Sequence, residues 1–175
     1  MRREECAMKK IYLAGGCFWG VEHYLGLLDG VKETTVGYAN SDIESPRYED
    51  LKAHRSSASE TVEVIYDEEK ISLKQLLDMF FLIIDPTILD RQGHDEGHQY
   101  RTGIYYTDKE DADIIKSSLS ELSTKYDKPI VTELLPLENF TVAEEYHQDY
   151  LIKNPNGYCH VDPKMFQIAR QFHKN

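Results

Sequence analysis

Apolar positions recur along this chain with two periods, and the change from one to the other marks its elements. Lys9 to Ala14 is a short, mostly apolar stretch and reads as a strand. Phe18 to Leu28 follows as a helix that stops near Asp29-Gly30. Val31 to Ala39 alternates as a strand does, and Thr61 to Tyr66 repeats that period of two. Between them lie a polar loop, Asn40 to Arg47, and one or two helical turns at Tyr48 to Ala53. Ser72 caps a helix whose Leu73, Leu76, Leu77 and Phe80 share one face, and Asp85-Pro86 ends it. A loop with two glycines, Arg91 to Tyr100, leads into a strand at Thr102 to Thr107. Lys109 to Tyr126 is an amphipathic helix with Ile114, Ile115, Leu119 and Leu122 facing inward. Ile130 to Leu135 reads as a further strand and Val142 to Ile152 as a further helix.

The core order, strand–helix–strand–strand–helix–strand, is that of a split βαβ, ferredoxin-like unit. It implies an α/β (α+β) fold with a mixed sheet, additional helices and an irregular C-terminal tail. With 175 residues the chain is long enough for one domain, 1–175, with a flexible N-terminus over 1–8 and a tail over 154–175.

The formal net charge of −11 argues against a nucleic-acid or anionic-membrane surface. The longest apolar run, Met79 to Ile84, is too short to span a bilayer. No apolar segment follows the basic residues of the N-terminus, so the expected compartment is the cytoplasm. Three cysteines, an odd number, do not make a structural disulfide framework. In a reducing compartment, catalysis, metal binding or no role at all are the alternatives.

The run Gly15-Gly16-Cys17-Phe18-Trp19-Gly20 places a cysteine where a strand gives way to a helix. A helix N-terminus offers unpaired amides and partial positive charge, which favour thiolate over thiol. Phe18 and Trp19, the chain's only tryptophan, set an aromatic wall beside that sulfur. The competing reading is a small buried hydrophobe in a tight turn. Cys159, in the turn-rich segment Asn154 to His160, is the natural second thiol for a redox pair. Cys6 is a weaker alternative.

The loop Arg91 to Arg101 contains His94 and His98 four residues apart, but Gly93 and Gly97 argue against a helical zinc motif, and no metal or cofactor is expected. Asp95 and Tyr100 of that loop are candidates for an active site. Gly37-Tyr38-Ala39 and Tyr48-Glu49-Asp50 could bring a phenol and a carboxylate to the same pocket.

Taken in order over Lys9 to His160, these segments resemble the peptide-methionine (S)-S-oxide reductase family. The matching pieces are Gly16 to Glu22, Gly37-Tyr38, Pro46 to Asp50, Asp85-Pro86-Thr87, Arg91-Gln92-Gly93 with Asp95, Gly97 and Gln99 to Arg101, and His147-Gln148 with Tyr150-Leu151. The resemblance implies reduction of the S epimer of methionine sulfoxide, free or in proteins. Cys17 would be the nucleophile, and Phe18 and Trp19 would hold the S-methyl group. Tyr38, Tyr100 and Asp50 would bond the sulfoxide oxygen, and Asp95 would support the site. Cys159 would resolve a Cys17 sulfenic acid as a disulfide, and thioredoxin would reduce that disulfide. A monomer is expected. The chain departs from the family pattern at Asp50, where Glu is usual, and at Ala58-Ser59 before Glu60, where Gly-His-Ala is common. It also has Cys159 as its single cysteine after Cys17. A thiol peroxidase and a non-catalytic binder of oxidised methionine are the rival readings.

Overall fold

A computed structural model describes residues 8–173. Cys6 and most of the expected flexible N-terminus lie outside the described residues, whereas Met8 already belongs to the first strand. The strands are β1 (Met8–Gly15), β2 (Val31–Ala39), β3 (Ser59–Asp67), β4 (Arg91–Gln92), β5 (Asp95–Glu96), β6 (Thr102–Tyr106), β7 (Glu133–Pro136) and β8 (Phe140–Val142). The helices are α1 (Phe18–Gly26), α2 (Tyr48–Lys52), α3 (Leu73–Phe81), α4 (Lys109–Ser123), α5 (Tyr150–Lys153) and α6 (Pro163–Arg170). Single 3-10 turns cover His98–Tyr100 and Glu145–His147.

Six strands form one sheet in the order β7-β6-β1-β3-β2-β8. Its four central strands are mutually antiparallel, and with α1 and α3 between them they make the expected ferredoxin-like unit. β7 joins β6 in parallel, so the sheet is mixed. Alternation along β1 serves both faces. Ile11 and Leu13 enter the main core with α1 and α3, while Tyr12 and Ala14 pack with Ala39 and Tyr105 on the opposite face. Ser72 caps α3 as the sequence predicts: its hydroxyl accepts the Gln75 amide at 3.1 Å, and Gln75 returns a bond to the Ser72 amide at 3.0 Å.

Ile114 of α4, expected to face inward, is instead 41% exposed, and two stretches also differ from expectation. The helix expected over 142–152 is a short strand, a 3-10 turn and one turn of α5. Phe140 to Val142 find an open strand partner in β2, and Asp149, at φ 50°, interrupts the helical path. The tail is not irregular throughout, because Asp162 caps α6 and Pro163 occupies its first turn.

The register brings the site together. Gly15 of β1 pairs with Thr102 of β6, and Leu13 pairs with Val62 of β3. The end of β1 therefore lies beside the starts of β3 and β6. Cys17, Glu60 and Tyr100, distant in sequence, meet at one end of the sheet.

Candidate active site

Cys17 is the N-cap residue of α1, at the strand-to-helix junction expected from the sequence. Gly16 makes that junction possible. It sits at φ 91°, and a side-chain carbon there would come within 2.7 Å of Gln92. Gln92 is buried and ties the 85–92 loop together, accepting from the Asp85 amide and donating to the Asp85 carbonyl, both at 2.8 Å.

Cys17, Phe18, Trp19, Tyr48, Glu60, Asp95, Tyr100, His147 and Tyr158 line a cleft of about 160 Å³. That space suits a group the size of a methyl sulfoxide. Of the residues expected at a site, Cys17, Phe18, Trp19, Asp95 and Tyr100 are therefore brought together. Tyr158 of the tail reaches the cleft and donates to Asp95 at 3.0 Å, which brings the segment carrying Cys159 beside it. Cys159 packs against Gly20 of α1, where a side-chain carbon would lie 2.8 Å from its sulfur. Both cysteines are free thiols.

Two expected residues are placed elsewhere. Asp50 is the third residue of α2, and its carboxylate turns back to accept the Arg47 amide at 2.9 Å and the Arg55 guanidinium at 3.0 Å. Those two donors hold its carboxyl below the usual range, so it is not a proton donor at neutral pH and does not line the cleft. Tyr38 is fully buried behind Phe18, and its hydroxyl donates to Glu144 at 2.8 Å. Three phenols line the cleft, Tyr48, Tyr100 and Tyr158, and the last is committed to Asp95.

Two carboxyl groups line the cleft, Glu60 and Asp95, and Glu60 is the buried one. It is 2% exposed, and it accepts the Phe18 amide at 3.3 Å and the Gln99 side-chain amide at 2.8 Å. Burial pushes its pKa up to about 8, so it is mostly protonated at neutral pH. Sequence reasoning passed over it, although an acidic residue at the start of a strand that is otherwise largely apolar or small is the signal that marks it. Burial, followed by the Glu60 charge, also drives the Cys17 thiol well above its ordinary value, against the pull of the Trp19 amide. The helix N-terminus does not leave Cys17 a resting thiolate, contrary to the expectation. Burial likewise raises Tyr48 and Tyr100, so both phenols are donors.

The aromatic wall is held from behind. Trp19 stacks on Tyr150, with ring centroids 3.7 Å apart and planes 11° from parallel. Its indole N–H donates to His147 Nδ1 at 3.0 Å, and burial keeps that imidazole below its ordinary pKa. Glu22, 3% exposed, accepts the Asp149 amide at 2.8 Å and the Thr34 hydroxyl at 3.0 Å, fixing the residue that precedes Tyr150. Burial raises Glu22 to about 7. In the 91–101 loop, His98 pairs with Asp90 at 3.1 Å. No cluster of His, Cys, Asp and Glu among the described residues has metal-site geometry.

The model of the family described as peptide methionine sulfoxide reductase matches residues 9–175. Peptide methionine sulfoxide reductase MsrA of Clostridium acetobutylicum is 54% identical over 160 residues, spanning 91% of this chain and 99% of that protein. The reduced form of Mxr1 from Saccharomyces cerevisiae superposes with a TM-score of 0.83 at 37% identity, over 90% of this chain and 92% of that one. Mxr1 in complex with Trx2 superposes at 0.61 with 30% identity, over 86% and 89% of the two chains. On these matches the chain belongs to the peptide methionine sulfoxide reductase family.

Proposed function

We propose that this methionine sulfoxide reductase acts on the S epimer, free or within proteins, through a sulfenic acid on Cys17 and a Cys17–Cys159 disulfide. The observation that carries the reading is a buried, mostly neutral Glu60 in the same small cleft as Cys17. A sulfoxide sulfur becomes attackable as its oxygen is protonated, and a neutral carboxylic acid can supply that proton.

Phe18 and Trp19 would receive the S-methyl group, and Tyr48 and Tyr100 would hydrogen-bond the sulfoxide oxygen as charge builds on it. Glu60 would give its proton to that oxygen and regain one from the Cys17 thiol, so a high thiol pKa is no obstacle. In net terms one oxygen passes from substrate sulfur to Cys17. The substrate is reduced by two electrons to the thioether, and Cys17 is oxidised by two to the sulfenic acid. Cys159 would then attack Cys17, forming the disulfide and releasing water. A thioredoxin dithiol would reduce the disulfide, a reading supported by the Mxr1–Trx2 complex of a structural relative. Asp95, bonded by Tyr158, would hold the tail over the site. The acidic chain is read as a cytoplasmic monomer with no nucleic-acid or membrane partner.

Thioredoxin-coupled turnover of S- and R-methionine sulfoxide tests the reading. Turnover with the S epimer alone, abolished in Cys17→Ser, is expected. Turnover that survives Cys17→Ser would contradict it.

A further inference from the structure

The thiol expected to resolve the sulfenic acid is poorly prepared to attack. Cys159 is half-buried, and burial holds its thiol above the ordinary value. Its weak hydrogen bond runs to the Val161 carbonyl at 3.5 Å, which does nothing to remove its proton. The attacking species in thiol chemistry is the thiolate, so a base is needed nearby.

His160 is placed to be that base. Its Nε2 lies 3.1 Å from the Gly15 carbonyl oxygen. A carbonyl only accepts, so Nε2 carries the hydrogen and Nδ1 of the neutral ring carries the lone pair. Burial keeps the ring neutral by lowering its pKa. Nδ1 is itself buried and has no hydrogen-bond partner among the described residues. An unpaired buried acceptor is costly and rare. Both groups border the same position on α1: a side-chain carbon at Gly20 would lie 2.8 Å from Cys159 Sγ and 3.6 Å from His160 Nδ1. The anchor at Gly15 also fixes the imidazole two residues before Cys17.

We propose that His160 is the general base of disulfide formation, taking the Cys159 proton at Nδ1 as that sulfur attacks oxidised Cys17. The S–S bond forms as the Cys17 S–O bond breaks. The departing hydroxide leaves as water with the proton held by the imidazole, which returns to neutral. The sulfenic acid is the oxidant, so no further reagent is required. This rests on the reductase reading above.

A single-turnover experiment without reductant separates the two steps, following methionine release, disulfide formation and the Cys17 sulfenic acid trapped by dimedone. His160→Gln retains an N–H for the Gly15 carbonyl but has no basic nitrogen. The expected result is methionine release within about twofold of wild type and disulfide formation slowed about a hundredfold, within the usual range for a lost general base. Dimedone-labelled Cys17 accumulates. His160→Asn repeats the test with a smaller amide, and circular dichroism checks the fold of both variants. Disulfide formation at the wild-type rate, or equal slowing of both steps, would overturn the proposal while leaving the reductase reading intact. Wild-type protein that releases no methionine would overturn both.

Discussion

The Phe18 amide at the start of α1 donates to Glu60 at 3.3 Å rather than to the cysteine that precedes it. The helix N-terminus thus serves the acid as well as the nucleophile. Glu60 nevertheless stays mostly protonated at neutral pH, because burial outweighs the two hydrogen bonds it accepts. The rate of methionine formation should therefore fall on the alkaline side with an apparent pKa near 8. Glu60→Gln should lower that rate by about 10² to 10⁴ and remove this alkaline limb. A pH series of single-turnover rates for the two proteins checks it.

Tyr48 and Tyr100 face the cleft, and Tyr38 does not. Tyr48→Phe and Tyr100→Phe should each lower the rate of the reduction step by about 10-fold to 10³-fold, as expected on losing a donor to developing charge. Tyr38→Phe should leave that rate nearly unchanged and cost about 1 kcal/mol of stability through the bond to Glu144. Asp50→Asn should also keep its activity, because Asp50 caps α2 and pairs with Arg55. Rapid-quench rates beside urea titrations distinguish these outcomes.

Glu22 touches no substrate in this account, yet it sets the aromatic wall. Its bond to the Asp149 amide holds a non-glycine residue at φ 50° and presents Tyr150 to Trp19. Glu22→Ala should raise KM about tenfold, equivalent to about 1.4 kcal/mol, with a much smaller change in kcat. Because Trp19 is the only tryptophan, its fluorescence reports the stack directly and should shift in the same variant. Glu22→Gln keeps an acceptor for Asp149 and should restore both signals.

Glu22 and Glu60 also make stability depend on pH. Their folded values, about 7 and about 8, lie above an unfolded carboxyl near 4.3. Between those limits the folded chain binds more protons than the unfolded chain. Their contribution is complete below about pH 4.3 and is lost as pH rises through 7 and 8. Denaturant midpoints should accordingly decline from pH 5 to pH 8.5, and Glu60→Gln should flatten the decline.

Much of this fold is legible in the residue pattern. The alternation of Val31 to Ala39 and Thr61 to Tyr66, and the Ser72 cap, define the ferredoxin-like core because burial and capping act locally. The stretch 142–152 is not legible. Its conformation depends on β2 offering an edge to Phe140 to Val142 and on Glu22 clamping Asp149 from another element. The same distinction holds at the site. Cys17, Phe18 and Trp19 are contiguous and announce themselves. Tyr48 and Glu60 are distinguished from Tyr38 and Asp50 only by register and by partners such as Glu144 and Arg55. The high Cys17 pKa was hidden for the same reason, since a helix-end argument does not see the burial or the Glu60 charge imposed by β3.

The most direct test of the whole account is stoichiometric. Reduced protein is incubated with S- or R-methionine sulfoxide without any reductant, and its disulfides are mapped by mass spectrometry. One methionine per chain is expected from the S epimer only, accompanied by a Cys17–Cys159 bridge. No methionine from either epimer would rule out sulfoxide reduction by Cys17, and a bridge between Cys17 and Cys6 would overturn the assignment of Cys159.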